Sequence, residues 1–309
     1  MKIIIKNGLF EYQAQNPTDL KNRKNKNNFF FKRTIWIDDA HLGEMLAWII
    51  ANKIGFKTCD VELYKKPFLF KPTKFDRGIL SYVEKSEDDI LLNPFFLIKD
   101  YLRSINSDSK FTKGVYDIDT ILNSVFQECI KSNRPYQEFL DIKQDFINMI
   151  VFDFKFSNTD RTIENWRLRR DTKTGVLDLY PMFDNEEILG FDINIKTGET
   201  FTREQIENLN TERRISVISP ADIGKDENKV QYEAILRYLL RKYPEQTQKA
   251  LDAVNSFRIN DLEEALDDIE EISDERRKLA LGLYIERSKS INKIYEEETR
   301  DRIEIAEAK

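Results

Sequence analysis

Asn158-Thr-Asp-Arg-Thr-Ile-Glu-Asn165, followed after one short hairpin by Tyr180-Pro-Met-Phe-Asp184, decides how this chain is read. Two carboxylates, Asp160 and Asp184, and two amides, Asn158 and Asn165, gather in a region otherwise rich in apolar residues. Between them, Trp166 to Arg170 and Val176 to Tyr180 are strand-like and flank the turn Asp171-Thr-Lys-Thr-Gly175, which predicts a hairpin. A hairpin returns the chain to where it began, so Asp184 is expected beside Asp160 despite a separation of 24 positions.

Upstream, Tyr136 to Phe156 is first amphipathic, through Phe139, Leu140, Ile142 and Phe146, and then nearly all apolar from Ile147 onward. That pattern predicts a helix running into the core. It delivers the chain to Ser157 and Asn158, and a loop emerging from a buried helix has its position set by the scaffold beneath it.

The 309 residues are 40% apolar and 34% charged, with both signs interspersed and a formal net charge of -6. Such a length supports one large or two small domains with a real core. A polyanion-binding protein would carry a strongly basic footprint, so nucleic acid is not expected as the main ligand. Cys59 and Cys129 lie far apart and form no C-x-x-C pair, which suggests neither a zinc site nor a disulfide framework and fits a reducing cytoplasm. The run Ile3-Ile4-Ile5 is too short for a signal peptide, and no stretch approaches membrane-spanning length; a cytoplasmic protein without a membrane partner is expected. His41 is the single histidine, which excludes a Ser-His-Asp triad elsewhere in the chain, an H-E-x-x-H zinc site and a two-His iron site. Chemistry must rest on carboxylates, amides and lysines, which suit Mg²⁺ and phosphate.

The first third reads as β-structure at Lys2 to Lys6, Leu9 to Gln13 and Asn28 to Ile37. The intervening loop, residues 21–28, carries four positive charges and reads as a solvated hairpin tip or as a glycine-less phosphate-covering loop. Lys32 shares a strand face with Phe30 and Thr34. A helix follows Asp38-Asp39, with Leu42, Met45, Leu46, Ile49, Ile50 and Ile54 on one face and Gly55 as its stop. Glu44 lies off that stripe among Ala47, Trp48 and Ala51. It reads as the partner of Lys32, since an unpaired carboxylate is costly on a covered face, or as an exposed surface glutamate.

Strands are expected at Asp60 to Tyr64, Phe68 to Phe70 and Gly78 to Val83, and the polar stretch 84–89 marks a boundary. Helices are expected at about Phe95 to Ile105 and Ile118 to Lys131, a second hairpin at Asp192 to Gly198, and irregular chain over 199–228. From Val230 the pattern is helical to the end, with breaks near Pro244 and Ile259-Asn260, and mostly polar beyond Tyr295. Neither a Walker A sequence nor G-x-G-x-x-G is present.

An aspartate with an asparagine five positions on, then a hairpin, then a second aspartate behind an apolar residue, is the layout of protein kinases. On these motifs, with Phe31-Lys32, Glu44 and the closing Ile285-Glu-Arg-Ser-Lys-Ser-Ile291, the chain resembles the HipA-like serine/threonine kinases. The resemblance implies an α+β, bilobal protein-kinase-like fold, with a β-rich nucleotide-binding lobe over 1–88 and a mostly helical catalytic lobe over 89–309. It implies ATP and Mg²⁺ as cofactors, a protein substrate with a Ser or Thr acceptor, and an antitoxin-type partner. Position by position, Asp160 becomes the catalytic aspartate, Asn165 and Asp184 the Mg²⁺ ligands, Lys32 the phosphate contact and Glu44 its positioning partner. The base is expected against Tyr82, Val83, Glu84 and Lys85. Two departures stand out: Thr162 replaces the histidine usual in the family, and Asn185-Glu186-Glu187 replaces small residues after the metal aspartate. The alternatives are a small-molecule or lipid kinase on the same scaffold, and a catalytically weak pseudokinase acting as a nucleotide-binding module.

Overall fold

The computed structural model describes the chain except for residues 1, 7–8, 14–28, 33–38, 66–76, 83–87, 106–115, 197, 213, 216–217, 220–229, 270–271 and 308–309. The expected strand at Phe68 to Phe70 and the charged loop 21–28 lie outside the described residues. The first part of the chain comprises β1 (Lys2–Lys6), β2 (Leu9–Gln13), β3 (Phe29–Lys32), α1 (Ala40–Ile54), β4 (Val61–Lys65) and β5 (Arg77–Tyr82). The strands form one antiparallel sheet in the order β1-β2-β3-β5-β4, and α1 packs on β4 and β5.

Helix α1 forms as its periodicity predicts. Leu42, Leu46 and Ile50 are buried, and Gly55, at φ +77°, ends it by returning the Phe56 N–H to the Ala51 carbonyl at 2.8 Å. Asp39 occupies the cap position without capping through its side chain. Its carboxylate instead accepts Arg276 Nε at 3.4 Å.

The polar stretch 84–89 holds a feature that the sequence reading left out. Asp89 opens β6 (Asp89–Leu92), because its alternation is completed by pairing with a distant strand rather than by its own composition. Next come α2 (Pro94–Ser104), β7 (Tyr116–Asp117), α3 (Ile118–Lys131) and α4 (Tyr136–Lys155). Asn93 caps α2 by accepting Phe95 N–H at 2.9 Å, and Asp117 caps α3 by accepting Thr120 N–H at 2.7 Å. Residues 149–155 of α4 are buried without exception, as the apolar run predicts.

The expected hairpin is present as β8 (Leu168–Asp171) and β9 (Leu177–Leu179), completing a sheet of order β6-β8-β9. Asp171 Oδ1 accepts the N–H groups of Lys173 and Thr174, and Gly175 supplies the left-handed residue of the turn at φ +71°. The second expected hairpin is not formed: the described residues of 192–198 hold no strand. Glu199 and Glu275 satisfy the N–H groups of Lys196 and Gly198 in place of a ladder.

The stretch expected to be irregular contains α5 (Arg203–Glu212), and β10 (Arg214–Ile215), β11 (Ile218–Ser219) and β12 (Val230–Gln231) follow it. The polar α5 is held by packing on the C-terminal helix, which composition alone does not reveal. The remainder is α6 (Tyr232–Lys242), α7 (Pro244–Ser256), α8 (Ile259–Asp267) and α9 (Asp274–Glu307), with the expected breaks at Pro244 and Ile259 and a further one, between Asp267 and Asp274, that was not expected. Glu298 is buried past the expected polar transition in α9, because Arg237 and Arg241 of α6 both pair with it. Among the described residues no helix is long and apolar enough to cross a membrane.

Candidate active site

The loop after α4 is built on a buried ion pair. Asp153, fully buried in the apolar last turns of α4, faces the fully buried Arg161 of the loop, with Nε to Oδ2 at 2.8 Å and Nη2 to Oδ1 at 3.0 Å. Arg161 also donates through Nη1 to the carbonyls of Asn165 (2.7 Å) and Phe183 (2.9 Å), and through Nη2 to Asn185 Oδ1. One guanidinium thus ties helix α4, the loop and the segment after β9 together. Burial works against its charge, but the Asp153 carboxylate more than offsets this and holds the guanidinium above its ordinary pKa. Asn158, also buried, donates Nδ2 to Asp153 Oδ1 at 2.8 Å. Ser157 turns the chain off the helix with φ +59°.

Within the loop, Asn165 Nδ2 donates to the Asp160 backbone carbonyl at 2.6 Å and to Asp160 Oδ2 at 2.9 Å. The amide nitrogen is therefore committed, which leaves Oδ1 as the acceptor atom of the Asn165 side chain. The backbone closes on itself through Thr162 N–H to the Asp160 carbonyl (2.7 Å) and Asn165 N–H to the Thr162 carbonyl (3.0 Å).

The hairpin returns the chain as the spacing predicts, and Asp184 sits beside the loop in a left-handed conformation at φ +61°. Aspartate tolerates this region better than most residues, at an energetic cost that surrounding contacts must hold. Those contacts come from α1. Glu44, 2% exposed, accepts the Asp184 N–H at 3.1 Å through Oε1 and the Asn185 N–H through Oε2. Gly43 lets the helix approach this closely: a Cβ there would lie 2.3 Å from the Glu186 carbonyl oxygen and 2.9 Å from Phe191 Cβ. The reading of Glu44 as an exposed surface residue is excluded by its burial.

The residues that depart from the family pattern are committed to the scaffold. Asn185 is buried, donating its N–H to Glu44 and receiving Arg161. Glu186 presents its carbonyl to Gly43, and Glu187 Oε2 accepts the Thr159 hydroxyl. Arg276 of α9 extends the clamp by donating to the Gly190 and Ile193 carbonyls while pairing with Asp39 at the start of α1.

The remaining predicted residues are only partly placed. Lys32 ends β3 opposite Ile79, and its side chain lies outside those described. Tyr82 ends β5 and donates its hydroxyl to Glu62 at 2.6 Å; Val83, Glu84 and Lys85 lie outside the described residues. Among the described residues no three His, Cys, Asp or Glu side chains form a ready-made metal cage. Arg161 Nη1 bonds the carbonyls of both Asn165 and Phe183, which brings the backbone next to Asp184 to that of Asn165; an amide oxygen and a carboxylate are donors of the kind that suits Mg²⁺, which takes one or two protein oxygens and fills its shell with water and phosphate.

Asp153 and Arg161 were not singled out from sequence, and Asn158 and Asn185 were named there without their partners. A signal existed, since a carboxylate inside an apolar helical run demands a cation, and Arg161 stands eight positions on.

No family model matches the sequence, and no curated protein does. The fold does match solved structures. The proinflammatory kinase CtkA of Helicobacter pylori superposes with a TM-score of 0.64 over 98% of this chain and 97% of its own, at 15% identity. The fold of this chain is similar to that of CtkA along almost its whole length. HipA of Shewanella oneidensis MR-1, solved with HipB and operator DNA as a toxin–antitoxin system, matches with a TM-score of 0.52 at 12% identity. That similarity covers 87% of this chain and 59% of the HipA-complex chain.

Proposed function

We propose that this chain is an ATP- and Mg²⁺-dependent serine/threonine protein kinase of HipA-like type, bilobal, with residues 1–88 forming the nucleotide lobe and 89–309 the catalytic lobe. The observation that carries this reading is the pairing of two loops. The Asn165 amide nitrogen is spent on Asp160 while Glu44 holds the backbone of Asp184, so one carboxylate and two metal-type oxygen donors are set on a rigid frame.

In this reading Asp160 orients the acceptor hydroxyl and takes its proton as the oxygen attacks the γ-phosphorus. The bond to the β–γ bridging oxygen breaks and ADP leaves. Asn165 Oδ1 and Asp184 would hold Mg²⁺, which supplies charge neutralisation on the phosphates. Lys32 contacts the phosphates, and the base lies against the backbone of Tyr82 to Lys85. Positioning supplies most of the acceleration, because phosphoryl transfer asks little covalent chemistry of the protein. A cytoplasmic site of action and a protein partner of antitoxin type belong to the same proposal.

Purified protein with labelled ATP and Mg²⁺, alone and with cell lysate, tests it beside Asp160→Ala and Asp184→Ala. Label on protein in the wild type only is the expected result. Label on a metabolite or lipid points to a different acceptor, and nucleotide binding without transfer to a non-catalytic module. Equal protein labelling by Asp160→Ala overturns the residue assignment.

A further inference from the structure

Helix α1 carries the Glu44 that holds the candidate metal loop, and both ends of that helix are fastened to elements far away in the chain. At its last turn Lys53 pairs with Asp261 (2.7 Å) and Glu264 (3.2 Å) of α8. Lys53 is 43% exposed, so water screens these pairs and they contribute little. The contact at the start of the helix is of another kind. Arg276 of α9 is 1% exposed, and its guanidinium lies 5.1 Å over the Phe191 ring. Its two terminal nitrogens donate to the carbonyls of Gly190 and Ile193, and its Nε faces the Asp39 carboxylate at 3.4 Å.

Those carbonyls belong to the segment that follows the candidate metal acid. Leu189 and Gly190 both take left-handed backbone, at φ +47° and +82°, and the turn they make packs on α9. A Cβ on Gly190 would lie 2.9 Å from Leu283 Cδ1 and 3.1 Å from Leu279 Cδ2. Arg276 therefore closes a ring of contacts. The ring runs from α9 to Gly190, back along the chain to Asn185 and Asp184, through Glu44 into α1, down the first turn of that helix to Asp39, and across to α9 again. A guanidinium suits this junction, because its planar fork serves three acceptors at once where the ammonium of a lysine is a single point of charge. Its burial leaves the Asp39 contact less screened than the pairs at Lys53.

We infer that Arg276 is a positioning residue for phosphoryl transfer: it sets the start of α1 against the segment after Asp184, and so fixes where Glu44 holds the candidate metal loop. The inference rests on the kinase reading above. Amide hydrogen exchange tests the linkage without nucleotide. Asp39→Asn keeps the carbonyl contacts of Arg276 and removes only the charge facing it, yet exchange across residues 184–191 should rise roughly tenfold, as in Arg276→Lys. Lys53→Met should exchange there at the wild-type rate. Transfer kinetics on the same proteins should show kcat per folded molecule lowered roughly tenfold to a hundredfold in Arg276→Lys and less in Asp39→Asn, with KM for the acceptor unchanged. Asp39→Asn should add nothing in the Arg276→Lys background, since both changes break one link. Wild-type exchange over 184–191 in Asp39→Asn, unchanged kcat per folded molecule in Arg276→Lys, or additive effects of the two changes on kcat overturns the positioning role while leaving the kinase reading intact. A wild-type protein that transfers no phosphate overturns the kinase reading; raised exchange in both variants then upholds the linkage, and wild-type exchange overturns it as well.

Discussion

Glu44 of α1 accepts the backbone N–H groups of both Asp184 and Asn185, so a side chain of the N-terminal helix holds the main chain of the candidate metal loop. The contact joins residues 140 and 141 positions apart and places the left-handed Asp184 under the control of α1. Movement of the helix therefore moves the acid.

Glu44→Gln tests that control. A glutamine has one acceptor oxygen for two N–H groups and turns an NH₂ toward one of them. The expected loss is about 1.5–3 kcal/mol of loop positioning, or roughly tenfold to a hundredfold in phosphoryl transfer, with a smaller fall in melting temperature. Transfer kinetics read beside thermal unfolding separate the two effects, and full activity in the variant would remove Glu44 from the mechanism.

Gly43→Ala should act on the same contact from the other side. The added methyl meets the Glu186 carbonyl, which is backbone and cannot swing away, so α1 must retreat. A destabilisation of about 1–3 kcal/mol in urea is expected, with nucleotide-dependent activity lost beyond it. Gly55→Ala is the control: its surroundings are open, and only its positive φ is strained.

Arg161→Ala removes the cation that Asp153, two carbonyls and Asn185 share, leaving a buried carboxylate uncompensated. The expected cost is about 3–5 kcal/mol of stability. A double-mutant cycle with Asp153→Asn should recover a substantial part of that cost. Strict additivity of the two changes would contradict the ion pair as the loop's anchor.

Lys155, 3% exposed, supplies a pH signature. Burial is the main cause that brings its pKa from the ordinary 10.5 down to about 8, with the charge of Arg258 adding to it; Ser288 Oγ at 2.8 Å, Asn255 Oδ1 at 3.3 Å and the Tyr284 ring surround its ammonium group. Between those values the unfolded chain binds the proton and the folded one does not, so stability contributed here rises with pH from about 8 to 10.5. The penalty is fully present below pH 8. Relative to Lys155→Met, the wild type should gain on the order of 3 kcal/mol across that interval, measured by chemical unfolding at fixed pH steps. Parallel pH profiles for the two proteins would show that the ammonium group is not desolvated.

Much of the scaffold could be read from the chain because its signals are local. The stripe from Leu42 to Ile54, the apolar run that ends α4 and the turn at Asp171 to Gly175 each carry their periodicity or turn chemistry within a few residues. The misses share a different origin. β6 begins in a polar stretch and exists only because β8 pairs with it. α5 is polar and is held by α9. The second hairpin failed because the turn at Asp192 to Gly198 is satisfied by glutamates from outside it.

The site divides in the same way. Asp160, Asn165 and Asp184 could be gathered as candidates from residue type and spacing, since the hairpin that the sequence predicts is the one the structure forms. What Glu44 touches could not, because periodicity says which face of a helix is covered and not by what. Nor could the clamp on Arg161, whose partners come from α4, its own loop and the segment after β9. The sequence by itself determined the chemistry available at this loop: two carboxylates, an amide and the strand that returns them. Only the tertiary structure decided their orientation. Burial makes each polar group find a partner, and the partners that Arg161 and Glu44 found are backbone groups and side chains far away in the chain.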